Sequence, residues 1–141
     1  MVLELFGTID CQKYLGPEPR MPGLEVEVRE PVSGRRRSFI APIDTGFGGY
    51  LLVPKLLYAE LGTMELPEED FGSYSTMTGP IILRRAAVEI EIGKGRKLDS
   101  FIETPMQGNG KILAGRRIIS ELELALLGGK MMCCQLKAIQ K

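Results

Sequence analysis

Residues 41–54 read Ala41-Pro42-Ile43-Asp44-Thr45-Gly46-Phe47-Gly48-Gly49-Tyr50-Leu51-Leu52-Val53-Pro54. An apolar run delivers one aspartate, and after a glycine-rich bend a second apolar run leaves it. A carboxylate in apolar surroundings is costly unless paired or hydrogen-bonded, which marks Asp44 as a chemical rather than a surface residue. Thr45 and Gly46 add little bulk, so another chain can approach the carboxylate closely. The competing reading is a turn, since Asp-x-Gly is common turn chemistry and short motifs match by chance. Hydrolysis of an amide by carboxylates alone needs one group to take a proton from water and one to give a proton to the leaving amine. Two carboxylates held close share a proton and so supply both roles. Asp44 is the one acid of this chain in such a setting, and a two-fold dimer would bring it to face its own copy.

Composition excludes much else. The chain of 141 residues has no histidine, which removes Ser-His and Cys-His catalysis and His-ligated metals from within it. No metal and no cofactor is expected. Lys and Arg number 18, as do Asp and Glu, so the net charge is zero and neither nucleic acid nor a membrane surface is the expected partner. The three cysteines, Cys11, Cys133 and Cys134, have no ligand spacing and suit a reducing compartment. With no basic leader segment at the N-terminus and no membrane-length apolar run, the expected location is cytoplasmic.

The elements that must position Asp44 follow from patterning. A first strand is predicted over 2–8 and a Pro/Gly-rich loop over 12–23. Leu24-Glu25-Val26-Glu27-Val28-Arg29 alternates as a half-wet strand, Pro31 to Gly34 turns the chain, and 35–43 returns to deliver Asp44. Arg35, Arg36 and Arg37 are read as a solvated cluster. A short strand over 50–53 precedes a helix over 55–61 that Pro54 opens and Gly62 ends. Residues 65–70 are acidic and exposed. Residues 71–82 form a mobile hairpin of small residues, 84–92 and 96–104 pair around Gly93 and Gly95, and 111–115 is a short strand. Ile118, Ile119, Leu122 and Leu126 recur at helical spacing, predicting a second helix of about three turns over 117–127, stopped by Gly128 and Gly129. A last strand covers 131–139, an apolar edge near the C-terminus that needs cover. The class is mainly β with one or two short helices.

With Ile43-Asp44-Thr45-Gly46 after an apolar strand, the small-residue stretch 73–80, and Ile112-Leu113-Ala114-Gly115-Arg116 leading into a helix, the chain resembles the retropepsin-like aspartic proteases. It is most similar to the small prokaryotic and archaeal members with one Asp-Thr-Gly per chain, over about residues 24–136. The resemblance implies a retropepsin-like acid-protease fold, a closed, barrel-like half-pepsin unit, working as a two-fold homodimer on a peptide or unfolded protein. It divides the chain into an N-terminal strand and loop, 1–23, and a protease domain, 24–141. It makes Asp44 the catalytic aspartate, with Thr45 locking the two active-site loops together and Gly46 bonding substrate backbone. Met77, Thr78 and Gly79 would lie at the tip of a flap that closes over substrate. Leu113, Ala114, Gly115 and Arg116 would thread behind the loop as support. Phe47 stands where many members carry Ala or Ser. Gly48 and Gly49 stand where retroviral members carry acids, which removes the usual ion-pair partner of Arg116. The alternative function is a non-catalytic dimeric module that binds an extended peptide on the same fold.

Overall fold

The computed structural model describes residues 10–14, 21–93, 95–127 and 131–136. The alternation read at residues 24–29 becomes strand β2 (Gly23–Arg29), after a short β1 (Asp10–Lys13). Leu24, Val26 and Val28 are buried while Glu25 is exposed. β2 pairs antiparallel with β3 (Arg36–Pro42), Val26 opposite Phe39. The connection is held by Glu30, a buried carboxylate that accepts the backbone N–H groups of Val32 (2.7 Å) and Ser33 (2.6 Å) and the Ser33 hydroxyl (2.5 Å).

The Ser33 hydroxyl and the Val32 N–H hold the Glu30 carboxyl below its ordinary range, against the effect of burial. A lowered folded-state value means that the unfolded chain binds more protons between the two values. The stabilisation is therefore present above the unfolded value and is lost as pH falls through the folded one. Denaturation of wild type and Glu30→Gln should show a stability gap that is full near neutrality and shrinks as pH falls below the ordinary carboxylate value of 4.5. A gap independent of pH would contradict this role for the carboxylate.

After a two-residue β4 (Leu51–Leu52), helix α1 (Lys55–Leu61) spans the predicted residues. Pro54 stands as its N-cap, Tyr58 and Leu61 are buried three residues apart, and the Gly62 N–H closes the helix on the Tyr58 carbonyl at 2.7 Å. The exposed Glu65 accepts the Tyr58 hydroxyl (2.7 Å) and Arg84 Nε (2.9 Å). β5 (Gly72–Thr76) and the start of β6 (Gly79–Ile92) form the predicted small-residue hairpin, Thr76 opposite Gly79. Ala86, Val88, Ile90 and Ile92 bury one face of β6, and β7 (Arg96–Pro105) pairs along its length. β8 (Leu113–Ala114) leads into α2 (Arg116–Ile119), then β9 (Leu122–Leu127) and β10 (Met131–Leu136).

Two sheets result. One runs β3-β2-β6-β7-β4-β8 with β5 on β6, and the other runs β1-β10-β9. Their apolar faces, α1 and α2 share one core that includes Val26, Leu51, Leu61, Ile102, Ile118 and Met132. Arg36 and Arg37 are exposed and pair with Glu27 (3.5 Å) and Glu60.

The structure corrects four expectations. The larger sheet is open: β3 and β8 end its path, and among the described residues an isolated parallel bridge between Ile43 and Ala114, not a strand ladder, lies between them, so no closed barrel forms. The second helix is one turn, not three. The apolar residues within 122–127 suit strand pairing as well as helical spacing, and pairing with β10, Leu122 opposite Leu136 and Leu127 opposite Met131, wins. β10 is not an edge, because β1 and β9 flank it on both sides. β1 takes in Gln12 and Lys13, which the sequence placed in a loop. The predicted strand over 2–8, residues 15–20 of the predicted loop and the end of the last strand, 137–139, lie outside the described residues.

Candidate active site

Asp44 follows β3 after Ile43, where the pairing with β2 has ended and the chain must turn. Its backbone N–H donates to the Ala114 carbonyl (2.9 Å), and its Oδ1 accepts the Gly46 N–H (2.8 Å). Three further backbone bonds cross between the loop and the β8–α2 segment. The Gly115 N–H donates to Tyr50 O (2.7 Å), the Arg116 N–H to Phe47 O (2.8 Å) and the Arg117 N–H to Gly49 O (2.9 Å). The Asp44 loop and the Leu113-Ala114-Gly115-Arg116 element, some 70 residues apart in sequence, thus form one braced unit. Ala114 is buried, Asp44 half-buried, and Thr45 and Gly46 exposed at the tip. The Arg116 guanidinium lies beside Gly48, and among the described residues no carboxylate pairs with it.

Met77 and Thr78 make the turn of the β5–β6 hairpin, and Gly79 opens β6 with φ +118. Thr76 Oγ1 ties this turn to itself, donating to Gly79 O (2.5 Å) and accepting the Thr78 N–H (3.3 Å). Met77 is fully exposed. Among the described residues no hydrogen bond joins the turn to the Asp44 loop. The hairpin reaches the loop further back, where the Tyr74 ring packs on Phe47 at 5.5 Å between centroids.

That contact exposes a group the sequence reading missed. Glu103, on β7, is completely buried. Its Oε1 accepts the Tyr50 N–H at 2.7 Å, and its Oε2 accepts the Tyr74 hydroxyl at 2.6 Å and Arg85 at 3.3 Å. Arg85 stands directly opposite Glu103 across β6 and β7, donates to the Tyr74 oxygen at 2.9 Å, and stacks over the Tyr50 ring at 5.1 Å. Burial, reinforced by the bond to Glu103, pushes the Tyr74 hydroxyl up to about 12, so it stays a donor at every physiological pH. The sequence signal was present: Glu103 shares its strand face with Phe101 and Pro105, an acid in apolar company like Asp44 itself.

Beside Phe47 a cleft of about 490 Å³ opens between the hairpin and the 105–107 loop, with Ile81, Ile82, Leu83, Pro105 and Met106 in its wall. Ile82 and Met106 are about half exposed, at 53% and 48%. An apolar wall along a strand suits the side chains of an extended peptide. No group of three or more Cys, Asp or Glu side chains among the described residues is arranged to hold a metal ion, and no helix among them is long and apolar enough to cross a membrane. In comparison with known proteins, the chain matches no protein-family model and no curated sequence.

Proposed function

We propose that the chain is an aspartic endopeptidase that works as a two-fold homodimer. The observation that carries this reading is the bracing of the Asp44 loop by four backbone hydrogen bonds to the β8–α2 segment, beside an apolar cleft. A turn needs no such bracing, whereas a group that must meet its own copy at hydrogen-bond range needs a fixed position. In the dimer the two Asp44 carboxylates share one proton. The ionised one takes a proton from the water between them, and the water oxygen attacks the scissile carbonyl carbon. The protonated one donates to the carbonyl oxygen, giving a gem-diol; as this collapses, the carboxyl that took the water's proton gives it to the nitrogen, the C–N bond breaks, and a gem-diol hydroxyl returns a proton to the other carboxylate.

One observation favours a second reading. The one side-chain bond of Asp44 among the described residues, to the Gly46 N–H, is also what a turn-capping aspartate makes. A dimeric module that holds an extended peptide without cutting it would need no more.

Mixing separates the two. Wild-type chains that cleave a denatured protein in acid are mixed with a roughly tenfold excess of Asp44→Asn chains, after labelled chains have shown that subunits exchange. About one wild-type chain in ten then finds a competent partner, and activity should fall about tenfold below simple dilution. Loss no greater than dilution means that each chain works alone. No cleavage at all leaves the binding module.

A further inference from the structure

We propose that Glu103 is a positioning residue that seats the hairpin strand β5 against the Asp44 loop through the Tyr74 hydroxyl. Its effect on catalysis rests on the endopeptidase reading above; its effect on the hairpin does not.

The two carboxylate oxygens divide between two elements. Oε1 takes the Tyr50 N–H, at the exit of the Asp44 loop, and Oε2 takes the Tyr74 hydroxyl, on the hairpin. Arg85, from the strand opposite, completes the set through Nε and Nη2 at 3.3 Å each. Buried away from water, the carboxylate needs donors beyond Arg85, and it draws one from the loop and one from the hairpin. The slot it occupies is built from both sides. A Cβ at Gly49, in the loop, would stand 2.5 Å from Oε1, and one at Gly72, at the start of β5, would collide with Oε2. Two glycines from two elements therefore make room for one carboxylate. Among the described residues β5 pairs with β6 alone, so its hold on the rest of the molecule depends on side chains. Tyr74 supplies that hold twice, by its hydroxyl on Glu103 and by its ring on Phe47. Opening the hairpin away from the loop must break the hydroxyl bond, and closing must remake it.

Tyr74→Phe removes the hydroxyl and keeps the ring on Phe47 and the Arg85–Glu103 pair. A hydrogen bond to a charged group shifts a two-state equilibrium by about 10- to 100-fold. Amide hydrogen exchange in residues 72–82 should therefore speed up at least about 10-fold, with β2 and α1 unchanged. On a cleaved peptide, KM should rise by a similar factor while kcat changes less, because the closed hairpin binds the substrate. Unchanged exchange over 72–82 overturns the proposal. An equal rise in β2 and α1 also overturns it, because that marks general loosening rather than a released hairpin. If the wild type cleaves no peptide, the endopeptidase reading fails and the exchange comparison still decides this one.

Discussion

Asp44→Asn should lower peptide hydrolysis by at least about 1,000-fold and leave the fold intact. The substitution is close to isosteric, and the amide oxygen of asparagine can still accept the Gly46 N–H that Oδ1 accepts at 2.8 Å. The four backbone bonds that brace the loop involve no side chain and survive unchanged. What disappears is the ability to take and give a proton, and in a homodimer it disappears from both halves of the site together. General acid and base contributions of about 100- to 10,000-fold each make the combined loss large. The variant also tests the turn reading, because Asn supports such a turn as well as Asp does. Matched thermal melts with activity lost assign chemistry to Asp44. Matched melts with activity kept assign it a turn and sink the endopeptidase. The readout is kcat/KM of the purified variant on a peptide that the wild type cleaves.

The parts of the fold that were legible in the sequence are those governed by local pattern. β2 alternates charged and apolar residues because one face is wet, and α1 is bounded by a proline that favours its first turn and a glycine that ends it. The pairing of the Asp44 loop with Leu113-Ala114-Gly115-Arg116 was an expectation of resemblance, and the backbone bonds between them are present. The failures lie where tertiary pairing decides. Leu122, Leu124 and Leu126 fit a strand and a helix alike, and only the presence of β10 selects the strand. The flanking of β10 by β1 follows from which segments meet, a matter on which neither segment's own pattern carries information. Glu103 shows only half of its signal in the sequence, an acid on a strand face with Phe101 and Pro105. Its burial depends on Tyr74, Arg85 and Tyr50, which arrive from three other segments of the chain.

Gly115→Ala should destabilise the protein by about 2–4 kcal/mol, a fall in Tm of roughly 10 °C, although alanine is otherwise acceptable there. The backbone at Gly115 is extended, φ −86 and ψ 178, so conformation raises no objection. The objection is the neighbour. An added Cβ would collide with the Gly49 carbonyl oxygen and stand 2.6 Å from the Phe47 ring. That carbonyl is fixed by the Arg117 N–H at 2.9 Å. Gly49 cannot retreat either, because its own open side faces Glu103 Oε1, the Phe47 ring and the Tyr74 hydroxyl, all within 2.7 Å of where a Cβ would be. The strain must therefore move the Asp44 loop away from β8 and α2. A displacement of about 1 Å at a reacting group costs about 100-fold in rate, so activity should fall by at least that much even where the variant remains folded. Gly48→Ala is the control in the same loop. Its Cβ would meet the far end of the exposed Arg116 side chain, at 2.9 Å, which can swing aside. That variant should melt within about 3 °C of wild type. Equal losses in the two variants would show that the loop resists any added bulk, and that close packing of Gly115 against Gly49 has no special part in holding Asp44 in place.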